Sequence, residues 1–137
     1  MPDMVRRPRP GQQIPIPEDA PTGPVEPVEL RLDHQTVPYS KVAVEVIIRE
    51  AWAADDFPAT IMRLLAVYGP GDSLAQEWSF VKRVLDGRRR IALPDGGLGV
   101  FQRGYVDDVA RAVALAPESP QAIGRTCSVG HEWVLTM

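Results

Sequence analysis

Cysteine is nearly absent. Cys127 stands alone in 137 residues, so no intrachain disulfide can brace the fold, and a reducing, cytoplasmic setting fits best. Histidine is almost as scarce: His34 and His131 do not pair with each other or with Cys127 at ligand spacing, which argues against a structural zinc site. No apolar run approaches the ~20 residues that a membrane helix needs. The cations of the opening MPDMVRRPRPGQQ have no apolar core behind them, so neither a secretory leader nor a membrane partner is expected. Positive charge is in short supply too. Fifteen Lys and Arg against eighteen Asp and Glu give a formal charge of −3, the wrong sign for holding a polyanion, and no nucleic-acid partner is expected. The dense basic stretch, Lys82, Arg83, Arg88, Arg89 and Arg90, reads either as a phosphate-holding patch or as the solvated end of a helix.

What is present is an ordinary globular composition, 45% hydrophobic and 24% charged, in a chain the size of one domain. Proline is unevenly spread: nine of fourteen fall between Pro2 and Pro38. Proline lacks the backbone donor and blocks helix interiors, so residues 1–36 read as an extended arm or long loop and residues 37–137 as the folded part. Pro38 suits a first helical turn, and Val44, Ile47, Ile48 and Ala51 then mark one face of a helix of about 15 residues. The nearly continuous apolar run Ala59 to Val67 suits a strand covered on both faces. Ser73 to Gln76 fits a capping box, and Leu74, Trp78, Val81 and Leu85 predict a second helix that stops at Gly87. Ile91–Leu93 is a strand candidate. Asp107 and Asp108 open a third helix with Val109, Ala112, Val113 and Ala116 on its face, and Arg125–Val129 reads as a last strand. Strands alternating with helices indicate an α/β layer fold, although few strands are available to fill a sheet.

Four stretches together, HQTVPYSKVAVEVIIREAW, FPATIMRLLAVYGPGD, DGRRRIALPDGGLGVFQRGYVDDVARAVALA and GRTCSVG, resemble the C-terminal half of the extended short-chain dehydrogenase/reductases, the NAD-dependent epimerase/dehydratase group. The resemblance runs over about residues 35–132, and RLLAVYGPGD is its most specific part. It implies a partial Rossmann-like α/β fold: the C-terminal part of a doubly wound parallel sheet plus a small substrate lobe. The N-terminal dinucleotide-binding half, with its glycine-rich turn, has no counterpart here; Gly69-Pro-Gly71 and Gly97-Leu-Gly99 both lack the third glycine. NAD or NADP is the implied cofactor, and a small-molecule substrate or the missing half the implied partner. A cut sheet edge also raises the prospect of self-association.

In this family a tyrosine exchanges the substrate proton, and a lysine four residues later binds the nicotinamide ribose and lowers the tyrosine's pKa. The resemblance puts Lys41 at the lysine position and Val37, which has no proton to give, at the tyrosine position. Tyr39 is the nearby phenol. On a helix it would lie about 200° around the axis from Lys41, unless the first turn is rebuilt around Pro38. The plainer reading makes Tyr39 a helix-entry aromatic and lets Lys41 pair with Glu45. By resemblance, Val67, Tyr68 and Gly69 line the cofactor site; otherwise they are a strand-to-helix turn. The family's phosphate-gripping arginine would fall at Phe101 if Asp108 is the aspartate of VDDVA. Arg103, two residues later on the same strand face, is then the substitute or else an exposed edge residue. The implied function is that of an NAD(P)-dependent epimerase, dehydratase or reductase acting on a sugar or related carbonyl or polyol, impaired when alone. The alternative is a non-catalytic remnant or a module that binds a small molecule or partner.

Overall fold

The computed structural model describes residues 16–25, 27–32, 34–73, 75 and 77–136. Leu74 and Gln76 lie outside the described residues, and with them the expected capping box and the first member of the second helix's stripe. The chain divides into two compact units, one made of the described residues up to Ile61 together with Pro120–Cys127, the other of Met62–Ser119 with Ser128–Met137.

In the first unit, strands β1 (Val28–Leu32) and β2 (Gln35–Tyr39) pair antiparallel, with Val28 opposite Tyr39 and Leu32 opposite Gln35. Pro38 therefore lies in a strand, opposite Glu29, and does not open the helix. A hairpin has an outer edge on each strand, where a residue without an N–H is tolerated. The helix start moves to Ser40. Its backbone is extended (φ −141°, ψ 120°) and its Oγ accepts the Ala43 N–H at 3.3 Å, so a serine N-cap satisfies a donor that proline could not. Helix α1 (Lys41–Asp55) ends at Asp56, which adopts the left-handed conformation (φ 49°) that aspartate tolerates better than most residues.

The buried face of α1 is only in part the one expected, with Ile48 and Ala51 half-buried. Val44 and Ile47 are exposed, while Val42 and Glu45, at 3% and 6% exposure, face inward. A buried carboxylate needs a partner. Arg49, one turn on, lies 3.6 Å from Glu45 and donates to Thr126 Oγ1 at 2.6 Å. Further along, the Trp52 indole packs on Gly124, where a Cβ would come within 2.9 Å of the ring and where φ is +74°. The Gly124 N–H donates to Ala59 O at 2.8 Å and the Thr60 hydroxyl to Ala122 O at 2.8 Å.

The apolar run expected as one covered strand is broken at Leu65 into β3 (Ile61–Leu64) and β4 (Ala66–Tyr68). Each half pairs differently, β3 with β7 (Thr126–Val129) and β4 with β6 (Arg103–Tyr105). Leu64 and Ala66 are exposed, so the two-sided cover is not found.

In the second unit β4 and β6 run parallel, Ala66 opposite Arg103, Val67 opposite Gly104 and Tyr68 opposite Tyr105. Helix α3 (Val106–Leu115) follows β6 without a loop and carries Asp107 and Asp108 in its first turn, as expected of acids at the positive end of a helix dipole. Val109 on α3 is 6% exposed; it fits over Gly104, where a Cβ would meet its Cγ2 at 2.8 Å. The short strands β5 (Val100–Phe101) and β8 (Leu135–Thr136) pair antiparallel. Helix α2 (Trp78–Leu85) stops at Gly87 (φ +69°) as the sequence predicts, but its apolar stripe is open: Trp78, Val81 and Leu85 are all exposed. Residues 91–93 form no strand; a 3-10 turn, Pro94–Gly97, follows them.

Candidate functional site

Parallel strands bring side chains together at their carboxyl ends, and in open α/β sheets that end is where ligands bind. Here β4 ends at Tyr68 and β6 at Tyr105, directly opposite each other in the ladder. Their rings meet edge to face, centroids 5.6 Å apart. Beyond Tyr68 the chain turns at Gly69, whose φ of +128° suits glycine alone. A Cβ on Gly69 would lie 2.8 Å from Val106 Cγ1 and 2.9 Å from Tyr105 Cε2, so the turn is pressed against the start of α3.

Around Tyr68 the second unit gathers polar groups from four places. The Tyr68 hydroxyl lies 3.1 Å from His131 Nε2, within hydrogen-bond distance. The Arg103 guanidinium sits over the Tyr68 ring, 4.5 Å from its centroid, and is ion-paired with Glu77. His131 is itself held at both ends: its N–H donates to Arg103 O at 2.7 Å and its carbonyl accepts from Gln102 Nε2 at 3.3 Å. Gly130, just before it, is needed for close approach, since a Cβ there would meet the Leu65 side chain and Arg103 O. The result is a phenol and an imidazole within proton-exchange distance, beside a half-buried cation–carboxylate pair. Arg103 is therefore not the exposed edge residue that one reading of the sequence allows.

Of the residues singled out in the sequence, Tyr68, Gly69 and Arg103 are brought together here, and Val67 stands beside them in β4 opposite Gly104. Asp108 is exposed on the first turn of α3. Lys41 and Tyr39 belong to the first unit. Lys41 is the first residue of α1 and is exposed; Tyr39 is the last of β2 and half-buried. Val37 and Tyr39 both precede the helix, so the helical four-residue spacing does not set their direction relative to Lys41. On a strand, residues two apart share a face, and Val37 and Tyr39 do so.

Three members of the cluster lie outside the residues that the sequence marks as site candidates. Tyr105 had a signal, because it repeats Arg103 at the strand period of two. His131 stands out in the sequence only as a possible metal ligand, and among the described residues no group of three His, Cys, Asp or Glu is placed to hold a metal ion. Glu77 carries no local signal.

Comparison with known proteins agrees with this architecture. The chain is 37% identical over 67 residues, 49% of its length, to a 3-diazoavenalumate denitrifying reductase from Streptomyces sp, of which it covers 21%. Among solved structures it resembles Pal from Bacillus thuringiensis (25% identity, TM-score 0.56, 70% of this chain and 32% of that one). It also resembles UDP-glucuronic acid 4-epimerase from Bacillus cereus, solved with UDP-glucuronic acid and NAD (21% identity, TM-score 0.55, 82% of this chain and 38% of that one). The second likeness is one of fold: the mixed α/β arrangement corresponds to part of a Rossmann-like doubly wound sheet. The chain thus spans between about a fifth and two fifths of the proteins it matches. Among the described residues no helix is long and apolar enough to cross a membrane. Residues 9–130 match the family pattern, and the chain belongs to the NAD dependent epimerase/dehydratase family.

Proposed function

We propose that this chain supplies the substrate-facing part of an NAD(P)-dependent epimerase, dehydratase or reductase that acts on a sugar or a related carbonyl or polyol compound. The observation that carries the reading is the Tyr68, Arg103 and His131 cluster at the carboxyl ends of β4 and β6, where a parallel α/β sheet presents its ligand. In this reading Tyr68 and Gly69, with Val67 behind them, border the nicotinamide. Lys41 holds the ribose, Tyr39 is the nearest phenol to it in sequence, and Arg103 and Asp108 lie on the substrate side. NAD or NADP supplies the hydride chemistry when bound. What the chain's own residues contribute is orientation and proton movement at the Tyr68 hydroxyl and the His131 imidazole.

The test uses the chain's three tryptophans, Trp52, Trp78 and Trp133. Saturable quenching of their fluorescence at micromolar NAD or NADP is the expected result; no change at millimolar cofactor would sink cofactor binding by this chain.

A second reading, binding without turnover, is favoured by Val37, an aliphatic side chain where the family carries its reactive phenol. The open stripe on α2, with Trp78, Val81 and Leu85 exposed, supports a protein partner or a second copy of the chain in that case. Hydride transfer to a carbonyl substrate, followed at 340 nm with reduced cofactor, separates the two readings.

A further inference from the structure

Arginine presents five donors in a planar fork that matches phosphate and carboxylate alike. In the second unit one face of that fork and one of its nitrogens are already engaged from within the protein. The face of the Arg103 guanidinium lies on the Tyr68 ring, 4.5 Å from its centroid, and Nη2 is ion-paired with Glu77. The Arg103 side chain is 19% exposed and that of Glu77 38%, so solvent reaches the pair mainly from the carboxylate side. Glu77 is not a loose partner. It is the residue from which α2 starts, and its carbonyl accepts the N–H of Phe80 at 2.9 Å and of Val81 at 3.0 Å, which anchors its backbone. The formal charges of Arg103 and Glu77 cancel, and Tyr68 and Tyr105 add hydrogen-bonding groups without net charge.

Resting on the reading above, in which this cluster faces the substrate, we propose that Glu77 sets the charge of the ligand the site accepts. By occupying the Arg103 guanidinium it makes the cluster select an uncharged hydroxyl- or carbonyl-bearing compound and turn away phosphorylated ones. A phosphate reaching Arg103 would have to expel the Glu77 carboxylate or lie against it, and like charges placed together in a partly desolvated site are strongly disfavoured. An uncharged polyol or carbonyl meets no such obstacle: it takes donors from Arg103 and exchanges hydrogen bonds with Tyr68 and His131.

The experiment is a titration of the full chain with inorganic pyrophosphate, without cofactor, followed by calorimetry and by tryptophan fluorescence. The chain itself should bind pyrophosphate weakly. Glu77→Gln, which keeps the shape and removes the charge, should bind about tenfold tighter or more, and Glu77→Asp should stay weak. Adding Arg103→Ala to Glu77→Gln should abolish the gain. Glu77→Ala serves as a second neutral variant if Glu77→Gln does not fold, which circular dichroism reports. Pyrophosphate binding by the unaltered chain as tight as by both neutral variants would overturn the proposal, and so would a gain that survives loss of Arg103. Because no cofactor is present, a negative result in the NAD titration leaves this outcome readable, and the reverse also holds.

Discussion

Tyr68 and Arg103 are fixed by side chains far away in sequence: His131 is 63 residues from Tyr68, and Glu77 is 26 residues from Arg103. Tyr39 and Lys41, in the other unit, flank Ser40: Tyr39 closes a short hairpin ladder opposite Val28, and Lys41 follows a cap that reaches only three residues ahead. One set of candidate residues is positioned by contacts among several elements, the other by the junction of a strand and a helix. A change of backbone near Tyr68 should therefore be felt by the whole cluster, whereas a change near Lys41 should stay local.

The sharpest way to break this contrast is Gly69→Ala. A methyl group there meets Val106 and Tyr105 at a φ of +128°, and the loss of stability should be about 3 kcal/mol, read from a urea or thermal melt. A loss near zero would mean that the corner between β4 and α3 yields freely, and the contrast would fail. In the first unit the comparable probe is Gly124→Ala, which sets a methyl against Trp52 at a φ of +74°. It should cost about 2 kcal/mol and change the Trp52 emission, since the added methyl displaces the indole that packs on Gly124. Ser40→Ala removes only the cap and should cost about 1 kcal/mol, with helix content by circular dichroism otherwise kept. Smallest of all, Lys41→Ala should leave stability within about 0.5 kcal/mol, as an exposed lysine does. It should nevertheless remove the cofactor-dependent quenching; retention of that quenching would take Lys41 out of the proposed site.

What the sequence made legible follows the same division between local and distant causes. The stop of α2 at Gly87, the acids in the first turn of α3 and the strand ending at Val129 each rest on neighbouring residues, and each is found, although a short strand, Leu135–Thr136, still follows the last of these. The start of α1 departs from the expected place because Pro38 and Ser40 both carry helix-start signals, and the capping hydroxyl prevails while proline joins the hairpin. Its buried face is legible only at Ile48 and Ala51, because Glu45 is turned inward beside Arg49, a pairing that apolar periodicity does not weigh. Residues 91–93 have strand composition, but among the described contacts nothing pairs with them, and composition alone does not make a ladder. Within the candidate site, Tyr68, Gly69 and Arg103 could be named from a resemblance. Glu77 could not, because its role depends on an ion pair with Arg103, 26 residues further along the chain.

The discontinuity of the first unit has a practical side. Its segment Pro120–Cys127 is inserted between stretches of the second, so the polypeptide passes from one unit to the other three times, after Ile61, Ser119 and Cys127. Cutting once at any of these points cannot free either unit whole. Expression of one alone would require splicing its separated pieces with a designed linker, and a single protease nick should leave both fragments associated until denaturant is added.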